Sequence, residues 1–235
     1  MSDVFSGKVV VVTGANGNVG QAVVRRFAAD GAKVVLVGRS EAELRALADE
    51  SGGLAVSADV TDPESIEAMI RQVDAAYGTI DVLAHTVGGY AAGTPVHESG
   101  LEVWDKMMTL NARSVFVTGG HVAKYMVERG IKGRIIAILS KNAYKGTAKA
   151  AAYSAAKAAA QRVLESMAAE LGGKGITVNG VVPTMIDTPQ NRADAPNADF
   201  SKWIQPDEIA DAIAFLAAPS SGAINGVSLD MVGRP

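Results

Sequence analysis

Two side chains in this sequence have the types and the spacing for proton transfer. Tyr153 and Lys157 lie four residues apart in an Ala-rich stretch, so a helix there puts both on one face. A phenol donates a proton readily when its pKa falls toward neutrality, and a neighbouring ammonium favours the phenolate, so the pair predicts a lowered Tyr153 pKa. The spacing alone also fits two unrelated positions on one helix. Two further residues strengthen the functional reading. Ser140 closes the apolar run Arg134–Leu139 and suits either a hydrogen bond to a substrate oxygen or a turn before Lys141-Asn142. Asn111 follows the helical run Trp104–Leu110. Asn is a poor helix-interior residue, which fits a special role there as well as an exposed neutral position.

These residues need a frame. Short β-rich runs at Val9–Thr13, Lys33–Val37, Leu54–Ser57, Ile80–Ala84, Arg134–Leu139, Thr177–Val182 and Val227–Asp230 alternate with helical patterns at Val19–Asp30, Glu41–Glu50, Pro63–Tyr77, Leu101–Glu128, Ala150–Leu171 and Pro206–Ala217. Continuous Val/Ile/Leu runs read as parallel strands buried on both faces. The alternation predicts an α/β fold, a doubly wound, Rossmann-like parallel sheet of seven strands with helices on both faces. Ligands then bind beyond the carboxyl ends of the strands. Residues 1–235 read as one domain. The long irregular stretch Pro183–Gln205 reads as a lid over the substrate, since connections of that length are usually functional or mobile.

The first strand runs into Gly14-Ala15-Asn16-Gly17-Asn18-Val19-Gly20 and then a helix. Glycines at this spacing let the backbone turn tightly and approach a pyrophosphate, which the helix N-terminus attracts. The position at the first strand–turn–helix makes this a dinucleotide site over Gly14, Asn16, Gly17, Asn18 and Val19 rather than an ordinary Gly-rich turn. The second strand ends Leu36-Val37-Gly38-Arg39-Ser40, with no carboxylate at its tip. A guanidinium there suits the 2′-phosphate of NADP(H), with NAD(H) as the other candidate and a solvated Arg as the simple alternative. Asp59 and Val60, after the third strand, fit the adenine edge, or Asp59 serves as a turn residue ahead of Thr61-Asp62-Pro63.

Bulk composition narrows the function. A net charge of −3 without charge blocks gives no support for nucleic acid or a membrane surface as partner. No cysteine is present and the three histidines are scattered, so no metal site is expected and a reducing cytoplasm is a compatible location. The N-terminus lacks the pattern of a secretory signal, and no apolar stretch is long enough to span a bilayer. The partner expected is a small-molecule substrate.

Together the glycine turn, Asn111, Ser140 and Tyr153-x-x-x-Lys157 resemble the short-chain dehydrogenase/reductase family over essentially the whole chain. The resemblance implies a catalytic tetrad in which Tyr153 passes a proton to the substrate oxygen and Ser140 orients the substrate. Lys157 would bind the nicotinamide ribose and Asn111 would hold a relay water. It also implies cofactor contacts at Gly88, Pro183 and Thr188, and dimers or tetramers packed through Leu101–Glu128 and Ala150–Leu171. Several positions depart from the usual pattern. Gly17 is followed by Asn18 where the family carries Gly, the usual Asn-Asn-Ala-Gly is His85-Thr86-Val87-Gly88, and Pro-Gly is Pro183-Thr184. The stretches Gly88–Gly93, Asp187–Arg192 and Pro196–Trp203 resemble the dihydropteridine reductase branch. Ser140 and Arg39 do not follow that branch, where a non-hydroxyl residue and an acid are expected. Three functions follow as expectations: an NADPH-dependent carbonyl reductase, a reductase of a quinonoid dihydropterin, and a non-catalytic dinucleotide sensor on the same fold.

Overall fold

The computed structural model describes residues 3–234. In chain order the main elements are β1 (Val9–Thr13), α1 (Asn18–Ala29), β2 (Lys33–Gly38), α2 (Glu41–Ser51), β3 (Leu54–Ser57), α3 (Pro63–Tyr77), β4 (Val82–His85), α4 (Leu101–Met107), α5 (Ser114–Glu128), β5 (Arg134–Ile138), α6 (Ala151–Leu171), β6 (Thr177–Pro183), α7 (Pro189–Asp194), α8 (Pro206–Ala217) and β7 (Ser228–Met231). The strands form one sheet in the order β3-β2-β1-β4-β5-β6-β7, and every pairing is parallel. The expected doubly wound sheet is therefore the observed one. Strand order reverses between β1 and β4, which opens a crevice at their carboxyl ends.

Alternation along the strands explains the two cores. Val9 and Val11 pack with α3, α5 and α6 residues such as Met69, Val122 and Leu164. Val10 and Val12 pack on the other face with Phe27 of α1, Leu44 of α2 and Ile213 of α8. Both faces are covered, so the strands need apolar residues at every position and lose the polar alternation of a half-exposed sheet.

Four boundaries differ from the sequence expectation in informative ways. β4 starts at Val82, not Ile80, because the Asp81 carboxylate accepts the Val9 N–H at 3.0 Å and also the Lys8 ammonium at 2.9 Å. A side chain there takes the place of a ladder bond. The helix expected over Leu101–Glu128 is continuous but carries a π-helical segment at Met108–Arg113, and Asn111 sits inside it. The expected irregular stretch 183–205 contains α7, capped by the Thr188 hydroxyl, which accepts the Asn191 N–H. The last strand is shifted by one residue to Ser228–Met231. Among the described residues, no helix is long and apolar enough to cross a membrane.

Candidate active site

The glycine turn is built by sterics. Gly14 has φ +70°, which favours glycine, and a Cβ there would press on Thr86 and Val87. At Gly20 a Cβ would run into the Gly14 carbonyl oxygen. The turn is closed by the Gly17 N–H donating to Gly14 O at 3.0 Å and by Gln21 Nε2 donating to Asn16 O at 2.9 Å. Gly17 caps α1 without a side-chain hydrogen bond, so the N–H groups of the first turn stay available for an anion. A cradle that any larger residue would fill, at the crevice end of β1, fits a dinucleotide pyrophosphate.

The catalytic candidates meet at the same edge of the sheet, beyond β4 and β5. Lys157 is 4% exposed, and its ammonium donates to Ile138 O at 2.9 Å. Burial lowers its pKa to about 8. The same ammonium lies 6.0 Å from the Tyr153 ring centroid. Asn111 holds the neighbouring backbone from both sides. Its Nδ2 donates to Gly89 O and to Met107 O, at 3.0 and 3.1 Å, and its Oδ1 accepts the Gly89 N–H at 3.2 Å. Gly88 is caught between them: a Cβ there would lie 3.0 Å from Asn111 Oδ1 and 3.3 Å from Lys157 Nζ.

One sequence expectation is corrected. The Tyr153 pKa is raised, not lowered. Burial is the main cause, interaction with the Ser140 side chain offsets part of it, and Tyr90 adds to the rise. In the protein without ligand, desolvation of the phenolate therefore dominates. Of the two readings of Ser140, the structure shows the turn. Ser140 caps a short 3-10 turn over Lys141–Ala143, accepting the Asn142 N–H at 3.3 Å, and it faces Tyr153.

The remaining candidates are distributed as follows. Arg39 is exposed at the tip of β2. Asp59 makes a tight turn, its Oδ1 accepting the Thr61 N–H and hydroxyl at 2.8 and 2.7 Å, and these bonds lower its pKa, with smaller contributions from Arg39 and Arg113. Val60 is buried in the core. Pro183 ends β6, and Thr188 caps α7.

Several residues at the site were not singled out by sequence reasoning. Tyr90 packs edge-to-face on Tyr153 with ring centroids 4.9 Å apart while staying 68% exposed. An aromatic directly after Gly88-Gly89 was its only signal. Asn142 donates to Thr147 Oγ1 and Ser154 Oγ at 2.8 and 3.0 Å, tying the Ser140 turn to the first turns of α6. His85 and Thr86, which stand in the place of two asparagines, knit β1 to α5. The Thr86 hydroxyl donates to Thr13 O at 2.7 Å. His85 Nδ1 meets Thr13 Oγ1 at 2.9 Å and Nε2 meets Ser114 Oγ at 3.2 Å. Ser114 already donates to Leu110 O, so His85 Nε2 carries the proton and Nδ1 accepts from Thr13. Burial, then the Lys157 charge, hold its pKa down to about 3.

The model for the short chain dehydrogenase family matches residues 8–199. The chain belongs to that family. It is 34% identical to the 3-oxoacyl-(acyl-carrier-protein) reductase FabG of Vibrio cholerae over 97% of either chain. It is also 34% identical to a D-threitol dehydrogenase of Mycolicibacterium smegmatis, over 97% of this chain and 93% of that one. A crystal structure of a putative gluconate dehydrogenase from Agrobacterium tumefaciens superposes with a TM-score of 0.91 at 26% identity, covering 99% and 98% of the two chains. The chain is thus a dehydrogenase or reductase of a family that uses NAD(P)(H).

The connection 183–205 is clasped at its base. Arg192 makes a bidentate pair with Asp187 at 2.5 and 2.7 Å, and Gln205 Nε2 donates to the same carboxylate at 2.9 Å. Phe200 stacks under the Arg192 guanidinium and against Trp203, both at 4.8 Å. The hydrogen bonds from Arg192, then Gln205, hold the Asp187 pKa at about 2, below its ordinary 3.8. A depressed carboxyl pKa contributes stability above the unfolded value and loses it as pH falls through the folded value. Asp187→Asn is therefore expected to lower the melting temperature at neutral pH. The gap to the parent should close as pH drops from about 5 to about 2; a gap constant with pH, measured by circular dichroism melts, would remove charge from the clasp's role.

Proposed function

We propose that this protein is an NAD(P)H-dependent reductase of a carbonyl, reversible as an alcohol dehydrogenase, with Tyr153 as proton donor. The observation that carries the proposal is the packing of Tyr153 between Ser140 and the buried Lys157 at the carboxyl edge of β5. When bound, the dinucleotide supplies the hydride for the carbonyl carbon. Tyr153 gives its proton to the carbonyl oxygen, which becomes the hydroxyl of the product. Without ligand, burial keeps the phenol protonated; the positive charge of Lys157 and of an oxidised nicotinamide would favour the phenolate as the proton leaves. Ser140 bonds the same oxygen and fixes its distance from the phenol. Lys157, fixed by Ile138 O, presents a positive charge toward the phenolate that forms and has N–H groups left for the nicotinamide ribose. Asn111 sets the Gly88-Gly89 backbone and is placed to hold a relay water.

The turn residues Gly14, Asn16, Gly17, Asn18 and Val19 would hold the pyrophosphate, and Asp59 and Val60 the adenine edge. Gly88, Pro183 and Thr188 would line the nicotinamide end. NADP(H) is favoured, since Arg39 makes no ion pair among the described residues and stands where a 2′-phosphate would lie.

A second reading, reduction of a quinonoid dihydropterin, is favoured by one observation. The exposed Tyr90 ring beside Tyr153 offers an aromatic wall to a planar substrate. Self-association, as a dimer or tetramer, is supported by the face between α5 and α6. There Phe116 is 66% exposed beside a hollow lined by Gly120, Lys124, Val163, Met167 and Glu170.

Three experiments test these assignments. Tyr153→Phe is expected to cut turnover by about a hundredfold or more while the cofactor Kd moves less than about twofold. The assay uses ketones and quinonoid dihydropterin as acceptors; turnover retained in the variant refutes the proton-donor role, and the preferred acceptor separates the two readings. Arg39→Ala should weaken NADPH binding by about tenfold and NADH far less. Equal losses in calorimetric titration would free Arg39 from the phosphate. Phe116→Glu should shift the light-scattering mass toward the monomer, and an unchanged mass places the interface elsewhere.

A further inference from the structure

The tip of β2 has no carboxylate of its own, but the fold brings one there. α2 opens directly after Ser40, and its first turn carries Glu41 and Glu43. Glu41 is taken up by Arg45, at 2.6 Å one turn along the helix. Glu43 makes no ion pair among the described residues. Its Oε2 accepts a hydrogen bond from Asn16 Nδ2 at 2.6 Å. Asn16 belongs to the glycine turn, and its Oδ1 lies against Gly38, the last residue of β2, 3.1 Å from where a Cβ would stand. The glycine turn, the end of β2 and the Glu43 carboxylate therefore share one corner of the crevice. Arg39 follows Gly38 directly at the tip of β2, and its charge is felt by Asp59.

In dinucleotide-binding sheets this corner faces the adenosine ribose. A carboxylate there accepts from the 2′-hydroxyl, and a guanidinium pairs with a 2′-phosphate. We infer that Glu43 is a specificity-determining residue of the cofactor site, held by Asn16 as a substitute for the missing strand-end acid and opposing Arg39. Its carboxylate accepts a charge-assisted bond from the ribose hydroxyl of NAD(H). Toward NADP(H) it is a like charge, because a phosphate monoester carries between one and two negative charges at neutral pH. Arg39 pulls the opposite way. Glu43 therefore limits the preference for NADP(H) that Arg39 supplies and keeps NAD(H) usable. The inference rests on the assignment of this corner to the ribose and is separate from the role given to Arg39.

Calorimetric titration of NADPH and NADH against the parent, Glu43→Gln, Glu43→Ser and Arg39→Ala tests it. Glu43→Gln is expected to tighten NADPH by about tenfold and to weaken NADH by about threefold, and Glu43→Ser to shift the ratio the same way. The NADPH gain should shrink as salt rises from about 0.05 to about 0.5 M, because the repulsion is exposed and screened. A Glu43 variant that changes both affinities by one factor, or neither, overturns the inference. If Arg39→Ala shifts the ratio and the Glu43 variants do not, Arg39 alone reads the phosphate. If the Glu43 variants shift it and Arg39→Ala does not, the Glu43 inference stands and the Arg39 reading falls. Glu43 is exposed, and melting curves matching the parent exclude a folding defect as the cause of any shift.

Discussion

The site depends on an ammonium placed where water does not reach. Lys157 is buried with Ile138 O as a partner, and an uncompensated charge in that position would be costly. The surroundings are shaped to accommodate it. Gly88 has no Cβ, so the backbone of the β4–α4 connection can lie against Nζ. The π-helical segment carries Asn111 to the point where its amide grips Gly89 from two sides, which fixes that connection. The positive charge also acts on His85, adding to burial in keeping the imidazole neutral. Neutrality is what lets His85 accept from Thr13 while donating to Ser114, and so join β1, β4 and α5. A glycine without a Cβ and a neutral histidine thus stand beside one buried charge, and a π-helical segment fixes the backbone next to it.

The connection 183–205 shows a different balance. Its base is a carboxylate with three charge-assisted or polar hydrogen bonds, covered by an aromatic pair. The C-terminal segment reinforces it from outside, since Arg234 donates to Trp203 O at 3.2 Å and pairs with Glu208 at 2.8 Å. Tying the ends of 183–205 in this way restricts the conformations open to the residues between them. The residues between the ties, rather than the ties themselves, are then free to differ in shape.

How much of this was legible in the sequence follows from where each signal originates. The strands were legible because burial on both faces demands an unbroken apolar run such as Val9–Val12. The glycine turn was legible because its steric demands fall on consecutive residues. The start of β4 was not, because Asp81 replaces a ladder bond with a side chain and no periodicity reports that. The π segment was hidden because one extra residue in a helix barely disturbs a 3.6-residue pattern. The Tyr153 pKa was misread because charge neighbours can be seen in a sequence and desolvation cannot. Glu43 and Tyr90 reach the site through tertiary proximity, from an exposed helix turn and a polar connection where exposed positions carry little pattern.

Two relatives of equal identity to this chain are a 3-oxoacyl-(acyl-carrier-protein) reductase and a D-threitol dehydrogenase. The shared frame therefore carries the reaction and leaves the acceptor to the walls around it. In this chain those walls come from three connections. Tyr90 sets an aromatic edge on Tyr153, Asn142 ties the turn after β5 to α6, and the clasped connection 183–205 follows β6. Tyr90 is the wall residue in direct contact with Tyr153, and it is still largely exposed. Access to the Tyr153 phenol from that side is therefore bounded by an aromatic edge.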